Sequence, residues 1–81
     1  MGTSVELIRS WLNARTDCTH MVVVCDTFSW EDYPVHVTKD ENVLDVINKY
    51  DNKGMQKIME CYSYTLDIEE QLNEYRAFHV D

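Results

Sequence analysis

Cys25 and His36 are the residues in this chain best suited by type to nucleophilic chemistry, a thiol that an imidazole could activate. They fall on two segments that read as neighbouring strands. Asp26, Glu31 and Asp32 supply oxygen donors of the kind Mg²⁺ or Ca²⁺ requires. Cys18, His20, Cys25 and His36 form a softer set of the type zinc accepts. Each constellation falls short on its own terms. The two glycines, Gly2 and Gly54, leave no glycine-rich turn to shape an oxyanion hole, a P-loop or a dinucleotide fingerprint. The acidic run lacks the glycine and alternating carboxylates of an EF-hand, so a solvated turn is the simpler reading. The Cys18-x-His20 spacing matches no zinc motif, and Cys25 within an apolar run reads as a small buried hydrophobe. A small metal-dependent or thiol enzyme using Asp26, Asp32, Cys25 and His36 is therefore the alternative. The leading expectation is a protein without catalytic residues, cofactor or metal.

The run Asp26-Thr27-Phe28-Ser29-Trp30-Glu31-Asp32-Tyr33 points to binding instead. It holds three carboxylates and three aromatics between two strand-like segments. Turns ordinarily use small polar residues, so bulky rings here either fold back onto the core or are presented to a partner. Phe28 and Tyr33 are expected to cap the core. Trp30, Glu31 and Asp32 are expected to form a partner-binding site, because Trp buries much area for few rotors and adjacent carboxylates pair with Arg or Lys. A second candidate surface is the last helix, with Glu69, Glu70, Gln71, Asn73 and Glu74 expected to face outward. With Asp67, Asp40, Glu41 and Asp45, these acids could imitate the spaced charge of a nucleic-acid backbone, although a charged helix face is ordinarily just solvated.

Composition narrows the partners. Fifteen acidic residues oppose seven basic ones, a net charge of −8 on 81 residues. Such a chain repels a phosphate backbone, so direct nucleic-acid binding is not expected. A basic protein surface, such as that of a host nucleic-acid-binding protein, is the favoured partner. The bland alternative is charge that merely keeps the protein dispersed. Three cysteines, an odd number without a CxxC, suit free thiols in a reducing cytoplasm. No apolar run is long enough to span a bilayer, and Arg9, Arg15 and Asp17 interrupt any signal-like segment. The length predicts one domain, residues 1–81, with a thin core.

The elements that must position these residues follow from periodicity. Thr3 and Glu6 have capping-box form, and Val5, Ile8, Trp11 and Leu12 share a helical face running to about Arg15. Met21–Cys25 is apolar on both faces and reads as a central strand. Tyr33–Thr38 alternates, with Pro34 marking an edge strand or a strand start. A helix follows, capped at Thr38 or Asp40, with Val43, Val46, Ile47 and Tyr50 inward and a stop at Asp51 to Gly54. Met55 to Leu66 fits a helix through Met55, Ile58, Met59 and Tyr62. It fits a strand through Ile58, Tyr62, Tyr64 and Leu66, with Cys61, Ser63 and Thr65 opposite. The strand is preferred because Gly54 and a cap at Asp67 confine it to strand length. A final helix is predicted from Asp67 to about Phe78, burying Ile68, Leu72, Tyr75 and Phe78. The fold class is thus α+β in the order α-β-β-α-β-α. Its three-stranded antiparallel sheet has order 2-1-3, and the helices pack on it.

The segment His20-Met-Val-Val-Val-Cys-Asp-Thr-Phe-Ser-Trp-Glu-Asp-Tyr33, with Met55-Gln-Lys-Ile-Met-Glu60 and Gln71-Leu-Asn-Glu-Tyr-Arg76, resembles small acidic hypothetical proteins of bacteriophages and mobile elements. The resemblance covers roughly residues 20 to 78 and excludes the first helix. It carries over no functional residues. What it implies is a viral setting and an inhibitor of host defence, anti-CRISPR-like in size and charge. Many such proteins cover a basic nucleic-acid-binding surface. A further alternative is a homodimer in which an exposed apolar sheet face near Val22 and Val24 is covered by a second copy.

Overall fold

The computed structural model describes residues 4–51, 54–74 and 76–80. Six elements follow one another: α1 (Val5–Ala14), β1 (Cys18–Asp26), β2 (Glu31–Thr38), α2 (Val43–Tyr50), β3 (Gln56–Ser63) and α3 (Ile68–Leu72). The sheet is antiparallel throughout, in the order β2-β1-β3, as the sequence pattern predicts.

The centre of the sheet goes to the strand that can bury both faces. Met21, Val22, Val23 and Val24 of β1 are fully buried. Val22 and Val24 meet Val37, Ile58 and Cys61 beneath Val43, Val46 and Ile47 of α2. Met21 and Val23 meet Tyr62 beneath Ile8 and Leu12 of α1 and Leu72 of α3. The sheet is therefore covered on both sides. This corrects one expectation: Val22 and Val24 offer no exposed apolar face for a second copy, because α2 already occupies it.

β3 departs from strict alternation. Val23 pairs with Glu60 and Val24 with Ile58, so Met59 is an extra residue in a bulge. The bulge shifts the phase of the strand. Ile58 joins Cys61 on the α2 side, and Tyr62 joins Met59 on the α1 side. The expected sharing of one face by Ile58 and Tyr62 is overturned for that reason.

Helix ends are fixed by single side chains. α1 is capped by Ser4, whose Oγ accepts from the Leu7 amide at 3.2 Å; the expected cap, Thr3, lies outside the described residues. The carbonyls at the other end of α1 face the sheet and find partners there. His36 Nε2 lies 2.9 Å from the Trp11 carbonyl, and the Tyr64 hydroxyl lies 2.8 and 2.9 Å from those of Leu12 and Arg15. The cap of α2 is Asn42, not Thr38 or Asp40. Its Oδ1 accepts from Leu44 at 2.8 Å and Asp45 at 3.3 Å. Glu41 does reach back to the Thr38 amide and hydroxyl, at 3.1 and 3.2 Å, but this closes a turn rather than a helix. Gly54 takes φ +60°, which its lack of a Cβ makes inexpensive.

The last helix is much shorter than expected. α3 ends at Leu72, and Phe78 is half exposed instead of buried. The chain turns back because the outer edge of β3 needs hydrogen-bond partners. The Cys61 amide donates to Ala77 at 3.0 Å and the His79 amide donates to Cys61 at 2.9 Å, forming a short parallel bridge. Arg76 donates to the carbonyls of Met59 and Ile58 just before it, at 2.8 and 3.3 Å. Ala77 is fully buried by this return. Tyr75, expected to face inward, lies outside the described residues.

Candidate functional site

The β1–β2 connection is closed by its first residue. The Asp26 carboxylate accepts from the Phe28 amide at 2.8 Å, and the Asp26 carbonyl accepts from the Trp30 amide at 2.6 Å. The Thr27 amide donates to the Met55 carbonyl at 2.7 Å, which ties this tip to the entry of β3. In so tight a turn Phe28 cannot fold back. It is 75% exposed, against the expectation that it caps the core. Tyr33, on the strand proper, does pack against the core, and its hydroxyl accepts from Gln56 Nε2 at 2.5 Å.

Trp30 is 60% exposed and Met55 56%, so three large apolar side chains project from one end of the sheet. Among the described residues other than glycine, Trp30 alone has positive φ, +60°. That region favours Gly or Asn and penalises a bulky side chain. The indole is nonetheless held there, with Lys57 Nζ 5.6 Å from its ring centroid. Glu31 is exposed and pairs across the strands with Asp26; Asp32 is half-buried and stands opposite Cys25. The structure thus gathers Trp30, Glu31 and Asp32 at one end of the sheet, with Glu31 and Asp32 on opposite faces, and adds Phe28, Met55 and Lys57 at that end. Met55 and Lys57 carried no signal in the sequence, since only the pairing of β3 with β1 puts them beside the turn.

The acids of α3 are elsewhere. Ser63, which holds α3 through Gln71, pairs with His20, and Gln56 pairs with Asp26. The six-residue offset along β1 from His20 to Asp26 spans roughly 20 Å. Glu69 forms a two-bond pair with Arg9, at 2.8 and 3.0 Å, and Glu74 lies 2.8 Å from His79. Arg9 holds the Glu69 carboxyl below its usual range, chiefly by hydrogen bonding. Glu70 is exposed. Gln71, expected to face outward, is 2% exposed. Its Oε1 accepts from the Ser63 amide and its Nε2 donates to the Ser63 carbonyl, both at 2.8 Å. It acts as a short piece of strand, which is why a polar residue sits inside.

The catalytic constellation is not assembled. Cys25 pairs with Asp32 and Met21 with His36, so thiol and imidazole lie four strand residues apart, roughly 13 Å. His36 is engaged with α1. Asp26 and Asp32 point to opposite faces of the sheet, as their alternation in register with Cys25 requires. Burial raises the thiols of Cys18 and Cys25, and pushes that of Cys61 up to about 11. The facing Asp32 carboxylate raises Cys25 further. Raised thiols hold little thiolate at neutral pH. Among the described residues no group of three or more His, Cys, Asp or Glu is arranged to hold a metal ion. No described helix is long and apolar enough to cross a membrane.

Comparison with protein-family models, curated proteins and solved structures finds no match for this chain.

Proposed function

We propose that this protein is a non-enzymatic interaction module that docks a basic protein surface through the β1–β2 tip. The observation that carries the reading is Trp30, a bulky ring kept largely exposed at a backbone position that disfavours it. Strain of this kind persists where a side chain serves binding rather than stability. Phe28 and Met55 widen the apolar contact, while Glu31 and Asp32 provide charge for a basic partner. The acids of α3, Glu69, Glu70 and Glu74, enter through the long-range field of a chain with net charge −8, which speeds encounter with a basic surface. In its finer form the proposal is a phage-type inhibitor of host defence, covering the nucleic-acid-binding site of a host protein in the cytoplasm. The charge balance and the resemblance of residues 20–78 to phage proteins support that form.

The test is capture of partners from bacterial lysate by the immobilised protein across a salt series, with a Phe28→Ser/Trp30→Gly variant in parallel. The expected result is a basic nucleic-acid-binding protein retained at low salt, released at high salt and missing with the variant. Capture unaffected by the variant, or no capture, overturns the reading.

A further inference from the structure

We infer that the group the tip recognises is an arginine side chain of the partner, stacked on the Trp30 ring. This rests on the reading of the tip as a docking site. The indole face already accommodates a cation, since Lys57 Nζ lies 5.6 Å from the ring centroid. Lys57 is a placeholder of the less suitable kind. An ammonium is compact and strongly hydrated, whereas a guanidinium is planar, weakly hydrated and stacks on an aromatic face. With 60% of Trp30 exposed, the ring is open to a second cation or to exchange of the first. Phe28 and Met55, also exposed, belong to the same end of the sheet, tied by the Thr27–Met55 hydrogen bond, and can provide an apolar track for the methylene stem of an arginine. Asp32 stands in register with Cys25 and Lys57, on the sheet face from which Lys57 reaches the ring, and its carboxylate supplies negative charge on that side. Aromatic face, apolar track and carboxylate together fit a protein arginine, and the net charge of −8 disfavours the phosphate of an RNA or a membrane as the occupant.

The probe pair is tetra-arginine and tetra-lysine peptides of equal charge, titrated at one salt concentration. Binding is read from Trp30 fluorescence in a Trp11→Phe background whose fold is checked by circular dichroism. The expected result is a preference of roughly tenfold for arginine, the scale of a desolvated cation–π contact. Trp30→Leu, read by calorimetry, should abolish the preference and leave only the shared charge attraction. Lys57→Met should strengthen arginine binding more than lysine binding. Equal affinity for the two peptides, binding of neither, or a preference that survives Trp30→Leu overturns the inference. The two readings fail separately. If partner capture still depends on Phe28 and Trp30 while the peptides show no preference, the arginine assignment falls and the docking tip stands. If capture ignores the tip, the docking reading falls.

Discussion

Replacing Gln71 with Leu should remove a large part of the stability of this fold. The Gln71 amide bonds both the N–H and the C=O of Ser63, each at 2.8 Å, and its Nε2 also lies 3.2 Å from the Asp67 carbonyl. Ser63 is fully buried, so water cannot replace the lost partner without opening the end of β3. A buried backbone group stripped of a partner costs about 1–3 kcal/mol; the Ser63 amide loses its partner outright and the carbonyl keeps only the long bond from the Leu66 amide at 3.4 Å, so the two together cost about 2–5 kcal/mol. The added apolar surface of Leu returns about 1 kcal/mol. The net loss is about 1–4 kcal/mol. At roughly 0.05–0.15 kcal/mol per residue, the 81-residue chain has a total of only about 4–12 kcal/mol. Urea unfolding followed by far-UV circular dichroism should show the midpoint falling with an unchanged slope. Gln71→Asn keeps the amide but is one methylene short of Ser63, and should fall nearly as far. A midpoint shift worth less than about 1 kcal/mol in Gln71→Leu refutes the argument that this side chain substitutes for a strand. A harmless Gln71→Asn shows that reach is not what matters.

Three further predictions use other parts of the molecule. Trp30→Gly should leave unfolding midpoints close to the parent, since relief at φ +60° offsets the lost ring contact. Trp30→Val should be less stable than Trp30→Gly by about 1–2 kcal/mol, because a β-branched residue suffers there, and equal midpoints would remove the strain argument. Burial raises Glu60 above its ordinary value of 4.5, with Asp32 adding to the effect. A raised carboxyl stabilises the fold in its protonated form, so that contribution is full below 4.5 and fades as pH climbs through the raised value. Glu60→Gln should therefore be more stable than the parent at pH 7 and flatten stability between pH 4.5 and 7; a steeper profile in the variant would contradict this. Finally, a thiol reagent at pH 7.5 should label Cys18, Cys25 and Cys61 slowly in the folded protein and rapidly in urea, because all three are buried. Fast labelling of Cys25 in the native state would restore the thiol-enzyme alternative.

Some features of this protein were readable from local pattern. The apolar run Met21–Cys25 can only be satisfied by cover on both faces, which places β1 in the middle and makes the order 2-1-3 follow. The spacing of Val43, Val46 and Ile47 fixes the buried side of α2. The exposed, acid-flanked Trp30 was likewise legible, because a large ring between strands has few other uses. Tertiary structure decided what depends on distant partners. The bulge at Met59 reversed the facing of half of β3, and alternation within a single strand carries no sign of it. α3 stopped at Leu72 because Cys61 needed backbone partners from residues 77 and 79, a demand that arises only once β3 lies at a sheet edge. Gln71 went inside because its amide meets the N–H and C=O of Ser63 near the end of β3, the strand at the sheet edge. The separation of Cys25 from His36 was set by register, in which each residue of offset moves a side chain by roughly 3.3 Å. Residue type and spacing along the chain determine which face is apolar. Which polar group meets which is settled only when strands and helices compete for the same backbone hydrogen bonds.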